Sequence, residues 1–158
     1  MTSLRSKSSI RLANKREFVD PSIAVAALNA TPTKLLKDAK TFGFIFETLC
    51  IRDLRVYSTA FGGHLTYYRD QTGLECDCIL ELDDGRYALI EIKYGQKGIL
   101  EGVNNLNKIE KFIHKYNRNQ THKNKMSLPS FKMVITSLQE STIADGGVYI
   151  VPIGCLKD

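Results

Sequence analysis

Hydrophobic and polar positions change period several times along the chain, and each change marks an element. Residues 1–18 hold few apolar side chains and read as a basic linker without regular structure. In "DPSIAVAALNA", Asp20 stands as an N-cap and Pro21 takes the first helical position, which predicts a short helix ending near Asn29. "TPTKLLKDAK" joins turn chemistry to a single turn of helix. From Thr41 to Phe61 the chain is apolar around much of its circumference, the pattern of a long buried helix closed by Gly62 and Gly63. The period then falls to two. "HLTYYRD" reads as a strand and "QTG" as a turn, and "LECDCILEL" and "RYALIEIKY" read as strands joined by Asp83, Asp84 and Gly85. Ile99, Val103, Leu106, Ile109 and Ile113 then restore a helical period. A polar loop covers roughly 117–127, and "FKMVIT" and "GVYIVPIG" predict two more short strands. Helix, three strands, helix and two strands make an α/β or α+β sheet with helices packed on it.

Composition narrows the class. A chain of 158 residues with 43% hydrophobic side chains is the size of one domain with a sizeable core. No apolar run is long enough to span a bilayer, and the basic N-terminus has no apolar segment behind it to make a secretory signal. Cys50, Cys76, Cys78 and Cys155 follow no disulfide or zinc spacing, so reduced thiols in a cytoplasmic protein are expected. His64, His114 and His122 are scattered and suggest no catalytic role.

The net charge of +5 is unevenly spread. Arg5, Lys7, Arg11, Lys15 and Arg16 precede the first acid, and Lys111, Lys115, Arg118, Lys123 and Lys125 form a second run free of acids. Such runs on a mildly acidic body suit a polyanion, or else are simply solvated. Tyr67 and Tyr68 offer rings that can stack on bases, although one of two adjacent strand residues normally faces the core.

Strand parity draws out a candidate site. Alternation puts Glu75, Asp77 and Ile79 on one face of their strand, and Cys76, Cys78 and Leu80 on the other. In the next strand Leu89, Glu91 and Lys93 oppose Ile90 and Ile92. Neighbouring strands would therefore gather Asp77, Glu91 and Lys93, leaving the alternate face apolar. Glu47 lies on the apolar stripe of the long helix with Phe44, Ile51 and Leu54, where a lone carboxylate is costly without a partner or cation. Three carboxylates and an ammonium suit Mg²⁺ or Mn²⁺ beside a phosphodiester, with the lysine orienting water or offsetting charge. Cross-strand ion pairs are the simpler alternative.

A helical Glu47, then Asp77, then the "EIK" of Glu91, Ile92 and Lys93 resembles the PD-(D/E)XK nuclease superfamily. Across nearly the whole chain, "KREFVDPSIAVAAL", "GFIFETLCIRDLRVY", "YYRDQTGLECDCIL", "LIEIKYG" and "VYIVPIGCLK" are similar to the C-terminal domain of a prokaryotic family of predicted AAA-type ATPases. The resemblance implies a restriction-endonuclease-like mixed sheet flanked by helices over 41–158, with residues 1–40 as the basic junction to an upstream P-loop ATPase. It implies metal-dependent hydrolysis of DNA phosphodiesters, or an inactive module that binds nucleic acid or protein and regulates or oligomerises the ATPase. Asp77, Glu91 and Glu47 would hold the metal, and Lys93 would complete the catalytic set. Arg69, with Lys115, Arg118, Lys123 and Lys125, would meet nucleic acid, while Arg69 can instead pair with Glu75. No G-x-x-x-x-G-K-[ST] occurs, so no ATP site is assigned to this chain.

Overall fold

The computed structural model of the protein describes residues 18–156, so the basic run at 5–16 lies outside the described residues. Asp20 caps α1 (Pro21–Ala27) by accepting from the Ser22 N–H at 2.8 Å, and Thr31 caps α2 (Pro32–Lys37) in the same way. Asp38 accepts from both the N–H and the hydroxyl of Thr41, which starts α3 (Ala39–Thr59) two residues earlier than expected. Both short helices pack on α3, and Arg52 of α3 donates to Asp20 at 2.9 Å. Hydrogen bonds from Ser22, then Arg52, hold the Asp20 carboxyl down at about 2. Among the described residues no helix is long and apolar enough to cross a membrane.

Six strands form one mixed sheet: β1 (His64–Arg69), β2 (Glu75–Glu81), β3 (Tyr87–Lys93), β4 (Phe131–Thr136), β5 (Thr142–Ala144) and β6 (Val148–Pro152). Their spatial order is β1-β2-β3-β4-β6-β5. The first three make an antiparallel meander, and α4 (Ile99–Arg118) carries the chain from β3 to its parallel neighbour β4. β5 is an addition to the sequence reading. Its three residues are too few to show a period, and Gly146 and Gly147, at φ of +73° and +71°, turn it back onto β6.

Helices cover both faces of the sheet. Val103, Leu106, Ile109 and Ile113 of α4 pack on Ile79, Leu89, Val134, Val148 and Ile150. Phe46, Cys50, Ile51 and Leu54 of α3 pack on the other face, against Cys78, Ile90, Ile92, Met133 and Ile135. The charged side of β3 is therefore also a buried side, lying under α4. Cys76 breaks the expected parity as well: it joins the core beneath α4, while Cys78 joins the core beneath α3. An irregularity in the ladder accounts for this, since Thr66 pairs with Ile79 but Tyr68 with Cys76, so β2 carries one extra residue there. Cys50, Cys76 and Cys78 are buried free thiols, and Cys155 is exposed. Tyr68 packs against the core, while Tyr67 is exposed.

Asn117, in the last turn of α4, clamps the loop leading to β4. Its amide donates to the Met126 carbonyl and accepts from the Met126 N–H, both at 2.8 Å. Asn117→Ala leaves two half-buried backbone groups without that partner and should lower stability by about 1–2 kcal/mol. Urea unfolding checks this, with an unchanged midpoint as the contrary result.

Candidate functional site

Regular alternation along β3, whose pairing with β4 is unbroken from Ala88 to Lys93, points Glu91 and Lys93 toward α4. α4 comes close over them because residue 102 is glycine. A Cβ there would stand 3.3 Å from Lys93 Cγ and Val134 Cγ2 and 3.4 Å from Glu91 Cβ. A larger side chain would push the helix off the strand.

Glu91 is only 1% exposed. Its Oε2 pairs with Lys93 Nζ at 2.7 Å, and its Oε1 accepts from the Asn105 amide at 2.7 Å. The same Asn105 amide donates to the Glu75 carbonyl at 2.6 Å, tying α4 to the start of β2. Asp77 accepts from the Ile92 N–H at 2.9 Å and lies 3.4 Å from Lys93 Nζ. Two oxygens that share one ammonium at these distances are no more than about 6 Å apart.

Electrostatics follow from burial. Desolvation, with the Asp77 charge added, pushes the Glu91 carboxyl up to about 7, although Lys93 and Asn105 oppose the shift. Burial works against a charged Lys93, but Asp77 and Glu91 outweigh it and hold the ammonium above its ordinary range. Lys93 is therefore a fixed positive charge near neutral pH, suited to donating a hydrogen bond and unsuited to accepting a proton. Glu91 and Lys93 open into a cleft of about 470 Å³ that Glu75, Lys97, Asn105 and Lys108 also line; Asp77 lies behind them and does not line it.

The structure thus brings together Asp77, Glu91 and Lys93. Glu47 is half-buried on α3, which packs on the sheet face opposite Glu91, and it does not line the cleft. Its charge is felt by Cys50, whose thiol is pushed up to about 12 by burial, then Asp53, then Glu47. Among the described residues no group of three or more His, Cys, Asp or Glu is arranged to hold a metal ion. The donor set of the cluster is two carboxylates, Asp77 and Glu91, the second buried and driven toward neutrality. Hard oxygens of this kind fit Mg²⁺ or Mn²⁺, which keep several waters and take only one or two carboxylates. Arg69 pairs with Glu75 at 3.5 Å, both more than half exposed, an arrangement that contributes little stability. Lys115 and Arg118 stand exposed on α4, and Lys123 and Lys125 lie exposed at and just after the short turn His122–Asn124.

Asn105, Gly102, Lys97 and Lys108 escaped the sequence reading. One signal was available: two adjacent asparagines, Asn104 and Asn105, sit mid-helix, where their propensity is poor and a hydrogen-bonding role is the usual compensation.

Residues 42–156 match the family described as Domain of unknown function (DUF4143), and the chain belongs to that family. No curated protein and no solved structure matches it.

Proposed function

We propose that this member of the DUF4143 family is a restriction-endonuclease-like, PD-(D/E)XK-type domain that hydrolyses DNA phosphodiesters with a divalent cation, as the C-terminal part of a predicted AAA-type ATPase. The observation carrying this reading is the convergence of Asp77 and Glu91 on Lys93, with Glu91 and Lys93 lining an open cleft and Glu91 buried deeply enough to resist ionisation. Even with Lys93 and Asn105 as partners, burying a carboxylate is costly, and perturbed groups in a cleft mark working sites.

In this reading Asp77 and Glu91 would hold Mg²⁺ or Mn²⁺, and Glu47, on the helix packed against the opposite sheet face, takes no part. The cation supplies polarisation of the phosphodiester and a bound water of lowered pKa. Asn105 fixes the Glu91 carboxylate through Oε1, and the Ile92 N–H fixes Asp77. Lys93 keeps its proton and offsets the negative charge that develops on the phosphoryl oxygens.

Plasmid nicking with Mn²⁺ or Mg²⁺ tests the proposal. Cleavage should fall by at least about 100-fold in both Asp77→Ala and Lys93→Ala. Intact plasmid with the unaltered chain, or nicking that survives both substitutions, would overturn it.

A second reading has its own support. Lys93 Nζ already sits on both carboxylates, so one of their two charges is balanced without a cation. The domain would then be an inactive module that binds nucleic acid or protein, regulating or oligomerising the ATPase. DNA binding without cleavage favours it, and concentration-dependent light scattering with no affinity for DNA favours the oligomerising form.

A further inference from the structure

The outer face of α4 continues the cleft as a basic row. Lys108 lines the cleft with Glu91 and Lys93. Lys111, Lys115 and Arg118 follow at intervals of three and four residues, so all four cations share one helix face and all are exposed. The opposite face of α4 carries the buried Val103, Leu106, Ile109 and Ile113. The one acid within this stretch, Glu110, is turned away and paired with the buried Lys132. Nothing acidic therefore interrupts the row beyond the cleft.

A second observation singles out the ligand. Phe112 lies between Lys108 and Lys115 on that same face and is 38% exposed. An aromatic ring set among cations offers a stacking platform for a base, and a stacked duplex has no base free to occupy it. Lys93, Lys97 and Lys108 line the cleft among three acids, Glu75, Glu91 and Glu101. Cations so mixed with acids suit one phosphate backbone better than the two of a duplex.

We propose that the outer face of α4 is a track for single-stranded nucleic acid, with the backbone on Lys108, Lys111, Lys115 and Arg118 and one base stacked on Phe112. The strand then runs into the cleft at Glu91 and Lys93. The track rests on the reading of that cleft as a phosphodiester site, but its test needs no cleavage.

The full chain has no tryptophan, so Phe112→Trp introduces a single reporter at the platform. In chelator, oligothymidylate should quench that fluorescence, and a blunt duplex hairpin should not. Phe112→Leu, which keeps an apolar side chain, should weaken oligothymidylate binding by roughly 5- to 50-fold in fluorescence anisotropy. Joint substitution Lys108→Gln and Lys115→Gln should lower the slope of log affinity against log salt by about 1.4. Unmoved indole fluorescence in the Phe112→Trp variant, unchanged affinity in Phe112→Leu, or tighter binding of duplex than of single strand would each overturn the track. A chain that binds as described but never nicks DNA retains the track and loses the nuclease reading. A chain that nicks without any effect at Phe112 loses the track alone.

Discussion

Glu91→Gln should raise stability at pH 8 by about 2–3 kcal/mol and leave it nearly unchanged at pH 4. The folded-state carboxyl titrates near 7 against an ordinary value of 4.5, so between those limits the folded chain holds a proton that the unfolded chain has released. Stability contributed by Glu91 is complete below the lower value and is lost as pH rises through the upper one. Glutamine is neutral throughout and escapes that loss, while keeping an oxygen for the Asn105 amide. For a chain of this size the gain corresponds to roughly 5–10 °C in melting temperature. Thermal unfolding between pH 4 and pH 8 measures it, and a lower melting temperature at pH 8 would show the ionised Glu91–Lys93 pair to be net stabilising. Under the proposed function the same substitution removes a metal carboxylate, so stability and activity should move in opposite directions. Mg²⁺ should then stabilise the unaltered chain at pH 8, release a proton when it binds near pH 6, and leave Glu91→Gln unmoved.

The site was legible where the strand is regular, and hidden where it is not. Unbroken pairing of β3 with β4 let simple alternation place Glu91 and Lys93 on one face. One extra residue in β2 moved Cys76 to a different core from Cys78, and alternation has no means of showing such an insertion. The apolar stripe of α3 marked that helix as buried, but a stripe does not say which face of a sheet it will cover. Glu47 was therefore grouped with Glu91, although α3 and α4 lie on opposite faces. "ALIEI" also carried information that went unused. A near-continuous apolar run is the mark of a strand covered on both sides, and Ala88 to Ile92 are all buried. Read that way, Glu91 was already a buried carboxylate, and a donor on the covering helix was to be expected.

Lys93→Met should have the opposite effect to Glu91→Gln, and a larger one. The methionine keeps most of the stem that packs beside Gly98 and Gly102, so the ammonium is what is lost. At pH 8 that leaves Glu91 buried beside Asp77 with no cation, a loss of about 3–5 kcal/mol. Lys93 is one of the groups holding the Glu91 carboxyl down, so its removal drives the carboxyl further up and makes it take a proton at higher pH. At pH 5 Glu91 is already protonated in the unaltered chain, and what is lost is the Lys93 hydrogen bond to that neutral carboxyl with the 3.4 Å contact to Asp77, about 1–2 kcal/mol. The penalty should thus shrink between pH 8 and pH 5, which simple loss of packing would not produce. Combining the two substitutions sharpens the distinction, because glutamine beside methionine leaves no charge at position 91 to strand. The double variant should recover most of the loss at pH 8, giving a coupling energy of at least about 2 kcal/mol in a double-mutant cycle. Equal penalties at both pH values, or additive effects in the cycle, would mean that Lys93 contributes through its stem. The Asp77–Glu91–Lys93 cluster would then be a packing feature of β3, and its value as the centre of a reactive site would fall with it.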